Sequence, residues 1–292
     1  MFEAMSQAVI DAGAELVPVE EASALMWADP AAADAFPGVV ARASQLAWIQ
    51  LPYAGIENFA DQLDPDKIWT CGKGVYAEPV AEHIITLTLA AFRHLHEAIP
   101  ATSWPQQRGR NLLGANVTVI GAGGITESLI RLLEPWGTRV TVVRRSDTPL
   151  AGAARTLTID QVDNAIRDAD VVVLAAALTE QTAGLVDAKF LETMNADAWL
   201  VNVARGGLVD HDALVDALRS KTIAGAALDV TTPEPLPDSH ALWGLANAMI
   251  TPHVANTPEM GLPLIAERVR QNVGRWIEGN DLIGLVDVEA GY

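Results

Sequence analysis

Apolar and polar positions alternate along the chain in the pattern of an α/β protein. Short apolar runs of strand length are separated by stretches in which apolar side chains recur every three or four residues. Strands that alternate with helices in this way favour a parallel sheet covered by helices. In the first hundred residues the pattern predicts helices at 1–12 and 78–96 and strands at 14–19, 22–27, 46–50 and 68–70.

The alternation becomes more regular from residue 116 onward. There the pattern predicts strands at 116–120, 139–143, 171–175, 198–202, 224–228 and 248–250, and helices at 125–136, 161–166, 188–194, 211–220 and 258–279. Pro100, Pro105 and Gly109 interrupt the pattern before this region, which indicates a domain boundary near residue 100. The chain opens with a predicted helix and no strand before it, so either the true start lies upstream of Met1 or the first sheet lacks its usual first strand.

Composition and charge exclude several kinds of binding partner and of structural site. The 292 residues are enough for one large or two ordinary domains. The net charge of −18 repels phosphate backbones and anionic lipids, which argues against nucleic-acid and membrane-surface binding. The single cysteine, Cys71, excludes an internal disulfide and a cysteine-based zinc site. The chain shows neither a signal peptide nor an apolar run of ~18 residues, so we expect a cytoplasmic protein.

A glycine-rich turn follows the predicted strand 116–120 and leads directly into a predicted helix. Its glycines are Gly121, Gly123 and Gly124, followed by Ile125 and Thr126. In a dinucleotide-binding fingerprint the first glycine allows the tight turn and the second lets the backbone approach a pyrophosphate, which the N-terminus of the helix then holds. Thr126 replaces the third glycine, which normally packs the helix against the strand.

The next predicted strand ends at Arg144, Arg145 and Ser146, where an NAD site usually carries Asp or Glu. Two adjacent guanidinium groups suit the 2′-phosphate of NADP, because they offer paired donors and a fixed charge. The alternative is a solvated basic pair at the end of a strand. We favour NADP(H) over NAD(H).

Three polar residues follow three further predicted strands. They are Arg205, Glu234 and His253. The carboxyl ends of parallel strands share one edge of a sheet, so these side chains would gather where ligands of such folds bind. A cation that clamps a carboxylate and a histidine supported by a carboxylate are the groups that reduction of a 2-oxoacid needs.

Taken together, these motifs resemble the D-isomer-specific 2-hydroxyacid dehydrogenases, and the resemblance covers nearly the whole chain. It extends from Leu51-Pro-Tyr53-Ala54-Gly55, which is similar to the family's substrate loop, through the glycine turn to Thr251-Pro-His253 and the tail 286–292. It implies two doubly wound parallel-sheet domains: a Rossmann dinucleotide-binding domain at 100–256, and a flavodoxin-like substrate domain made of 1–99 and 257–292, with the active site in the cleft between them.

The resemblance also implies roles for individual residues. Arg205 would bind the substrate carboxylate, His253 would be the general acid, and Glu234 would orient His253. The substrate would further contact Tyr53, Ala54 and Gly55, and the cofactor would contact Ala204 and Asp229, the latter near the nicotinamide amide.

The resemblance implies a homodimer, with residues 106–113 as a contact arm, that reduces a small 2-oxoacid such as glyoxylate, hydroxypyruvate or pyruvate. Corepressors of the same fold keep the same three residues, so a dinucleotide-sensing protein is the alternative. Oxidation of formate or phosphite is a further option within the family.

A metal site is not expected. His94 and His96 are close in sequence, but both fall in the predicted helix 78–96, and residues two apart on a helix do not face each other. The other histidines outside the candidate site match no role of the family.

Overall fold

The computed structural model describes residues 1–288, apart from the side chains of residues 30, 31 and 57. Within these residues the chain forms two compact units, one made of Met1–Tyr76 with the segment from Asn256 onward, and the other of Ala77–Ala255. Residues 289–292, the end of the segment predicted to complete the substrate domain, lie outside the described residues. Between residues 1 and 288, no helix is both long enough and apolar enough to cross a membrane.

Helices and strands alternate along the chain. The helices are α1 (Phe2–Asp11), α2 (Phe36–Val40), α3 (Ala77–Phe92), α4 (Leu95–Ala98), α5 (Gly124–Leu133), α6 (Val162–Ile166), α7 (Ala188–Thr193), α8 (His211–Ser220) and α9 (Pro258–Glu278). The strands are β1 (Ala24–Met26), β2 (Trp48–Gln50), β3 (Ile68–Thr70), β4 (Asn116–Ile120), β5 (Arg139–Arg144), β6 (Arg155–Thr158), β7 (Val171–Leu174), β8 (Trp199–Asn202), β9 (Gly225–Leu228) and β10 (Ala248–Ile250). Short 3-10 helices occur at Val19–Glu21, Pro30–Ala35, Glu57–Gln62, Glu134–Trp136, Ile159–Gln161, Gly206–Leu208 and Ala241–Gly244.

The larger unit is built on a parallel seven-stranded sheet with the order β10-β9-β8-β7-β4-β5-β6. The chain proceeds from β4 outward to β6, then crosses back to β7 on the other side of β4 and continues to β10. The direction of winding therefore reverses between β4 and β7. In open α/β sheets, ligands bind at the carboxyl ends of the strands beside such a switch point.

Helix α3 packs against α5 and against the sheet of the larger unit. The compact units therefore divide after Tyr76, whereas the sequence pattern predicts a domain boundary near residue 100. The prediction that this helix continues to His96 was wrong, because α3 ends at Phe92. The backbone N–H of Arg110 donates to the carbonyl of Phe92 at 2.9 Å, and His94 adopts a left-handed conformation with φ of 50°.

The smaller unit contains a parallel three-stranded sheet with the order β1-β2-β3, and α1 packs against α9. The strand predicted at 14–19 was wrong. Leu16 and Val17 are 56% and 44% exposed, and Pro18 has no N–H to donate to a ladder, so these apolar residues do not join the sheet. The chain instead forms a 3-10 helix at Val19–Glu21.

A buried polar network joins α9 to the three-stranded sheet. The Asn272 amide donates to Gln50 Oε1 at 3.0 Å and to the carbonyl of Ile283 at 2.9 Å, and its oxygen accepts the N–H of Ile283. Gln50 Oε1 also accepts the hydroxyl of Thr70, which accepts the indole N–H of Trp48. Since Asn272 and Gln50 are fully buried, this network specifies the position of α9 within its unit.

Replacing Asn272 should therefore destabilise the smaller unit. We expect Asn272→Ala to lower the free energy of unfolding by about 3 kcal/mol, because the partners on Gln50 and Ile283 lose their hydrogen bonds while they stay buried. Urea unfolding measures the difference. The neighbouring Gln271 is exposed on the same helix, and Gln271→Ala should change stability by less than about 0.5 kcal/mol. Equal effects of the two substitutions would contradict the role given to the network.

Candidate active site

Three neighbouring strands end in one row at the carboxyl edge of the seven-stranded sheet. In the register of β8, β9 and β10, the aligned last residues are Asn202, Leu228 and Ile250. Adjacent strands are ~4.8 Å apart, so the three loops that follow start within ~10 Å of one another. Arg205 and His253 each lie three residues beyond the end of their strand, and Glu234 lies on the loop between them.

His253 and Glu234 form a hydrogen-bonded pair. His253 Nδ1 lies 2.5 Å from Glu234 Oε1, and the two side chains are 52% and 41% exposed. A carboxylate oxygen can only accept, so Nδ1 carries a hydrogen and Nε2 is left to exchange a proton with a ligand. This arrangement gives the imidazole a fixed orientation, which a general acid requires.

The backbone around His253 is held by Asp229. His253 has φ of 53°, an uncommon value for a residue with a side chain, and its N–H lies within hydrogen-bond distance of the carbonyls of Asp229 and Thr251. The Asp229 carboxylate accepts the Thr251 hydroxyl at 2.5 Å and the N–H groups of Val254 and Ala255 at 2.9 and 3.0 Å. One buried carboxylate therefore fixes the whole loop that carries His253.

The electrostatics of Asp229 favour its ionised form. Burial opposes ionisation, but the hydrogen bonds from His83, from Thr251 and from two backbone N–H groups outweigh it and lower the pKa of Asp229 to about 2. The resemblance to the dehydrogenase family places Asp229 in the cofactor site, which stays a prediction. Its position in the structure adds a role in holding the loop.

His83 takes part in the same network, although no role was predicted for it from the sequence. Its Nε2 lies 3.3 Å from Asp229 Oδ1 and 3.2 Å from the Thr251 hydroxyl. The signal was present in the sequence: His83 stands three residues after Val80 and four before Leu87, on the apolar face of α3. A polar side chain on a buried face implies a buried partner.

The turn that carries Arg205 is shaped by Asn202. The buried Asn202 amide donates to the carbonyl of Arg205 at 2.9 Å, and its oxygen accepts the N–H of Ala204 at 3.0 Å. A Cβ on Gly206 would lie 2.0 Å from the backbone of Thr231, so only glycine permits this approach. The Arg205 turn is thereby packed against the segment that leads to Glu234, which brings the predicted catalytic loops together.

The glycine turn after β4 lies at the switch point of the sheet. Gly121 has φ of 116°, and a Cβ there would lie 2.5 Å from the carbonyl oxygen of Ala175, just beyond β7. Thr126, in place of the third glycine, is buried and donates its hydroxyl to the carbonyl of Gly121 at 2.9 Å. The substitution therefore stabilises the turn by a hydrogen bond.

The residues predicted to hold a dinucleotide line the same edge. Gly123 directly precedes the first turn of α5. No atom lies within 4 Å of the position that a Cβ on Gly123 would take, so there is space for a phosphate beside the N–H groups of Gly124 and Ile125. Arg144 ends β5 with its Nη1 3.5 Å from the carbonyl of Thr148, and Arg145 and Ser146 are exposed just beyond it. These residues fit the phosphates of a dinucleotide.

The predicted substrate-loop residues Tyr53, Ala54 and Gly55 belong to the other compact unit. Tyr53 is 42% exposed, its ring centroid lies 6.1 Å from that of Tyr76, and its carbonyl accepts the N–H of Gly72. Their role in binding the substrate stays a prediction.

The chain is similar to known proteins along most of its length. The model of the NAD-binding domain of D-isomer specific 2-hydroxyacid dehydrogenases matches residues 85–255. A Corynebacterium melassecola protein described as uncharacterised is 41% identical over 256 residues, which cover 85% of this chain and 84% of that protein. The glyoxylate reductase/hydroxypyruvate reductase of Homo sapiens is 33% identical over 220 residues, or 72% of this chain, which spans 65% of that relative.

A solved structure is also similar along the whole chain. The D-isomer specific 2-hydroxyacid dehydrogenase from Xanthobacter autotrophicus Py2, in complex with NADPH and MES, has a TM-score of 0.87 at 26% identity. The match covers 100% of this chain and 96% of that protein. The protein thus belongs to the D-isomer specific 2-hydroxyacid dehydrogenase family. It is an NAD(P)-dependent oxidoreductase whose NAD(P)-binding domain includes residues 85–255.

The pKa of Asp229 leads to a prediction about stability. The folded value of about 2 lies below the ordinary 3.8, so the ionised carboxylate stabilises the folded state above pH 3.8, and this contribution is lost as the pH falls from 3.8 to 2. Asp229→Asn keeps the shape and removes the charge, and should lower the free energy of unfolding at neutral pH by about 2 kcal/mol.

Urea unfolding of the unliganded protein over a range of pH checks this expectation. The difference between wild type and Asp229→Asn should shrink below pH 3.8. Glu192→Gln removes an exposed carboxylate and should change stability by less than about 0.5 kcal/mol at every pH. A difference for Asp229→Asn that does not depend on pH would show that the charge is not what holds the loop.

Proposed function

We propose that the protein reduces a small 2-oxoacid, of the glyoxylate, hydroxypyruvate or pyruvate type, to the D-2-hydroxyacid with NADPH. The observation that carries the proposal is the His253–Glu234 pair at 2.5 Å, on a loop that leaves the sheet beside the Arg205 turn. The human relative, 33% identical to this chain, is a glyoxylate reductase/hydroxypyruvate reductase, which supports the choice of substrate class.

Arg205, His253 and Glu234 each have a separate role in the proposed reaction. The bound cofactor supplies a hydride for the carbonyl carbon. Arg205 binds the carboxylate of the substrate and polarises the neighbouring carbonyl. His253 gives the proton on Nε2 to the carbonyl oxygen, and Glu234 holds Nδ1 and stabilises the charged imidazolium before that transfer. In the oxidation direction His253 takes the same proton back.

Arg144, Arg145 and Ser146 are proposed to select NADPH over NADH. They stand at the end of the strand next to the glycine turn, where a carboxylate would repel a 2′-phosphate and a guanidinium attracts it. The similar dehydrogenase of Xanthobacter autotrophicus Py2 is solved with NADPH, which supports this choice.

The assignment of domains and the homodimer are part of the same proposal. Residues 100–256 would bind the dinucleotide, with Ala204 and Asp229 near the nicotinamide, and residues 1–99 and 257–292 would bind the substrate through Tyr53, Ala54 and Gly55. Exposed apolar side chains around the predicted contact arm support a homodimer; they are Ile99, Trp104 and Leu113.

A panel of 2-oxoacids, followed by the loss of NADPH absorbance, tests the reaction. We expect turnover of at least one member, and His253→Ala should lower kcat by about 10²–10⁴-fold because the proton donor is lost, while the Kd for NADPH is unchanged. His240→Ala removes a histidine from another loop of the same unit and should retain full kcat. If the wild type binds NADPH, turns over no oxoacid and changes its oligomeric size on binding, the dinucleotide-sensing alternative holds instead.

The choice of cofactor is tested by the double variant Arg144→Ala/Arg145→Ala. It should raise the Kd for NADPH at least about tenfold and leave the Kd for NADH unchanged, because the 2′-phosphate loses its charged donors. Fluorescence titration with both cofactors measures this. Arg139→Ala/Arg155→Ala removes the same charge from the first residues of β5 and β6 and should alter neither Kd. A wild type that prefers NADH would mean that the arginines face solvent.

A further inference from the structure

Two histidines and a glutamate converge where α3 ends. Because His94 is left-handed, with φ of 50° and ψ of 38°, the chain turns between α3 and α4. The rings of His94 and His96 are therefore 5.8 Å apart, although a continuous helix would direct them to different faces. No metal was expected at these two residues because a helix over 78–96 would keep them apart, but α3 ends at Phe92.

Glu97 faces both imidazoles with one oxygen. Its Oε1 lies 3.5 Å from His94 Nδ1 and 3.5 Å from His96 Nε2, while its Oε2 is paired with Arg108. One potential ligand atom from each of the three residues lies within 4.8 Å of the others. An ion that is tetrahedrally coordinated by His and carboxylate at ~2.0–2.1 Å holds its ligand atoms ~3.3 Å apart. The two distances from Glu97 Oε1 are close to this value, and the two imidazole nitrogens lie within 4.8 Å of each other.

The two imidazole nitrogens that face Glu97 have no hydrogen-bond partner. Among the described residues, His94 Nδ1 and His96 Nε2 are buried and make no hydrogen bond. The His96 side chain is only 8% exposed, and its ring packs edge-on against Trp199 at 5.1 Å. A buried polar atom without a partner costs ~1–3 kcal/mol, so such atoms in a folded protein point to a ligand.

We propose that His94, His96 and Glu97 bind one divalent transition-metal ion of the zinc type. The ligands are His94 Nδ1, His96 Nε2 and Glu97 Oε1, and water completes the coordination. Imidazole with one carboxylate suits Zn²⁺ and its neighbours in the first transition row, and is a poor set for Mg²⁺ or Ca²⁺, which require more oxygen ligands. The site is separate from the candidate active site and does not depend on the proposed reaction.

The surroundings suit such an ion. Burial lowers the pKa of His94 and of His96, and the positive charge of Arg108 acts in the same direction on both. A cavity of about 550 Å³ lined by His94, Glu97 and the connector residues 101–108 gives room for the ion and its water. Arg108 stays on Oε2 and orients the carboxylate, as partners of metal ligands do.

The bound ion would hold the turn between α3 and α4 in one conformation. All three ligands lie within four residues, at the join between α3, α4 and the connector that follows. Binding should therefore raise the thermal stability of the protein without a change of fold, because the ion binds only the folded turn.

Calorimetric titration with Zn²⁺ tests the proposal on the full chain, after removal of any purification tag and of bound metal by a chelator. We expect one Zn²⁺ per chain and a rise in Tm on addition of zinc. His96→Ala and Glu97→Gln should each weaken binding at least about tenfold and abolish the rise in Tm. Titration with Co²⁺ gives a second readout, since its visible d–d bands distinguish four-coordinate from six-coordinate sites.

The chain provides a matched control in His211 and His240, whose rings are also close, at 6.1 Å, but which have hydrogen-bond partners. His240→Ala should bind Zn²⁺ as wild type does. Glu97 is partly exposed and Glu97→Gln keeps its shape, so this variant separates loss of the ligand from loss of the fold, with far-UV circular dichroism as the check. Absence of saturable zinc binding, binding that survives His96→Ala and Glu97→Gln, or binding lost in His240→Ala would overturn the proposal.

Discussion

The buried carboxylate of Asp229 is the constraint on which the geometry of the candidate active site depends. It stands directly after β9, between the strands that lead to Arg205 and to His253. Its two oxygens accept bonds from the loop 251–255, which carries His253 at a positive φ that an unrestrained histidine rarely adopts. An ionised group inside the protein is stable only when it is fully paired, so the charge that costs desolvation also defines a single loop conformation.

The larger sheet could be predicted almost completely from the sequence. Strands such as β4 and β7 are buried on both faces, and a run of apolar β-branched residues has few other places in a fold. The strand that was wrongly predicted and the strand that was missed also have physical explanations. The run at 14–19 is as apolar as a strand but stays largely exposed, and β6, at the edge of the sheet, carries only one apolar residue and gave no pattern.

Site residues could be predicted where a chemically suitable side chain comes shortly after the end of a predicted strand. Arg205, Glu234 and His253 could be selected because parallel strands bring their carboxyl ends to one edge. The residues that support them could not be selected in this way. Asn202 and His83 act through bonds to backbone and side chains far along the chain, which only the register of the strands and the packing of α3 bring close. The requirement for glycine at position 206 could not be predicted either, because it arises from the close approach of the Thr231 backbone.

The end of α3 shows how one tertiary contact changes the chemistry of a segment. Nothing in the local sequence stops the helix before His96, since leucine, histidine and glutamate are all tolerated in helices. The helix ends because Arg110 returns from the connector, donates its N–H to Phe92 and places its guanidinium 3.9 Å from the centre of the Phe92 ring. His94 then takes the left-handed conformation that ends a helix. Two imidazoles that a continuous helix would separate thus share one carboxylate oxygen, and their capacity to bind a cation is a property of the tertiary structure.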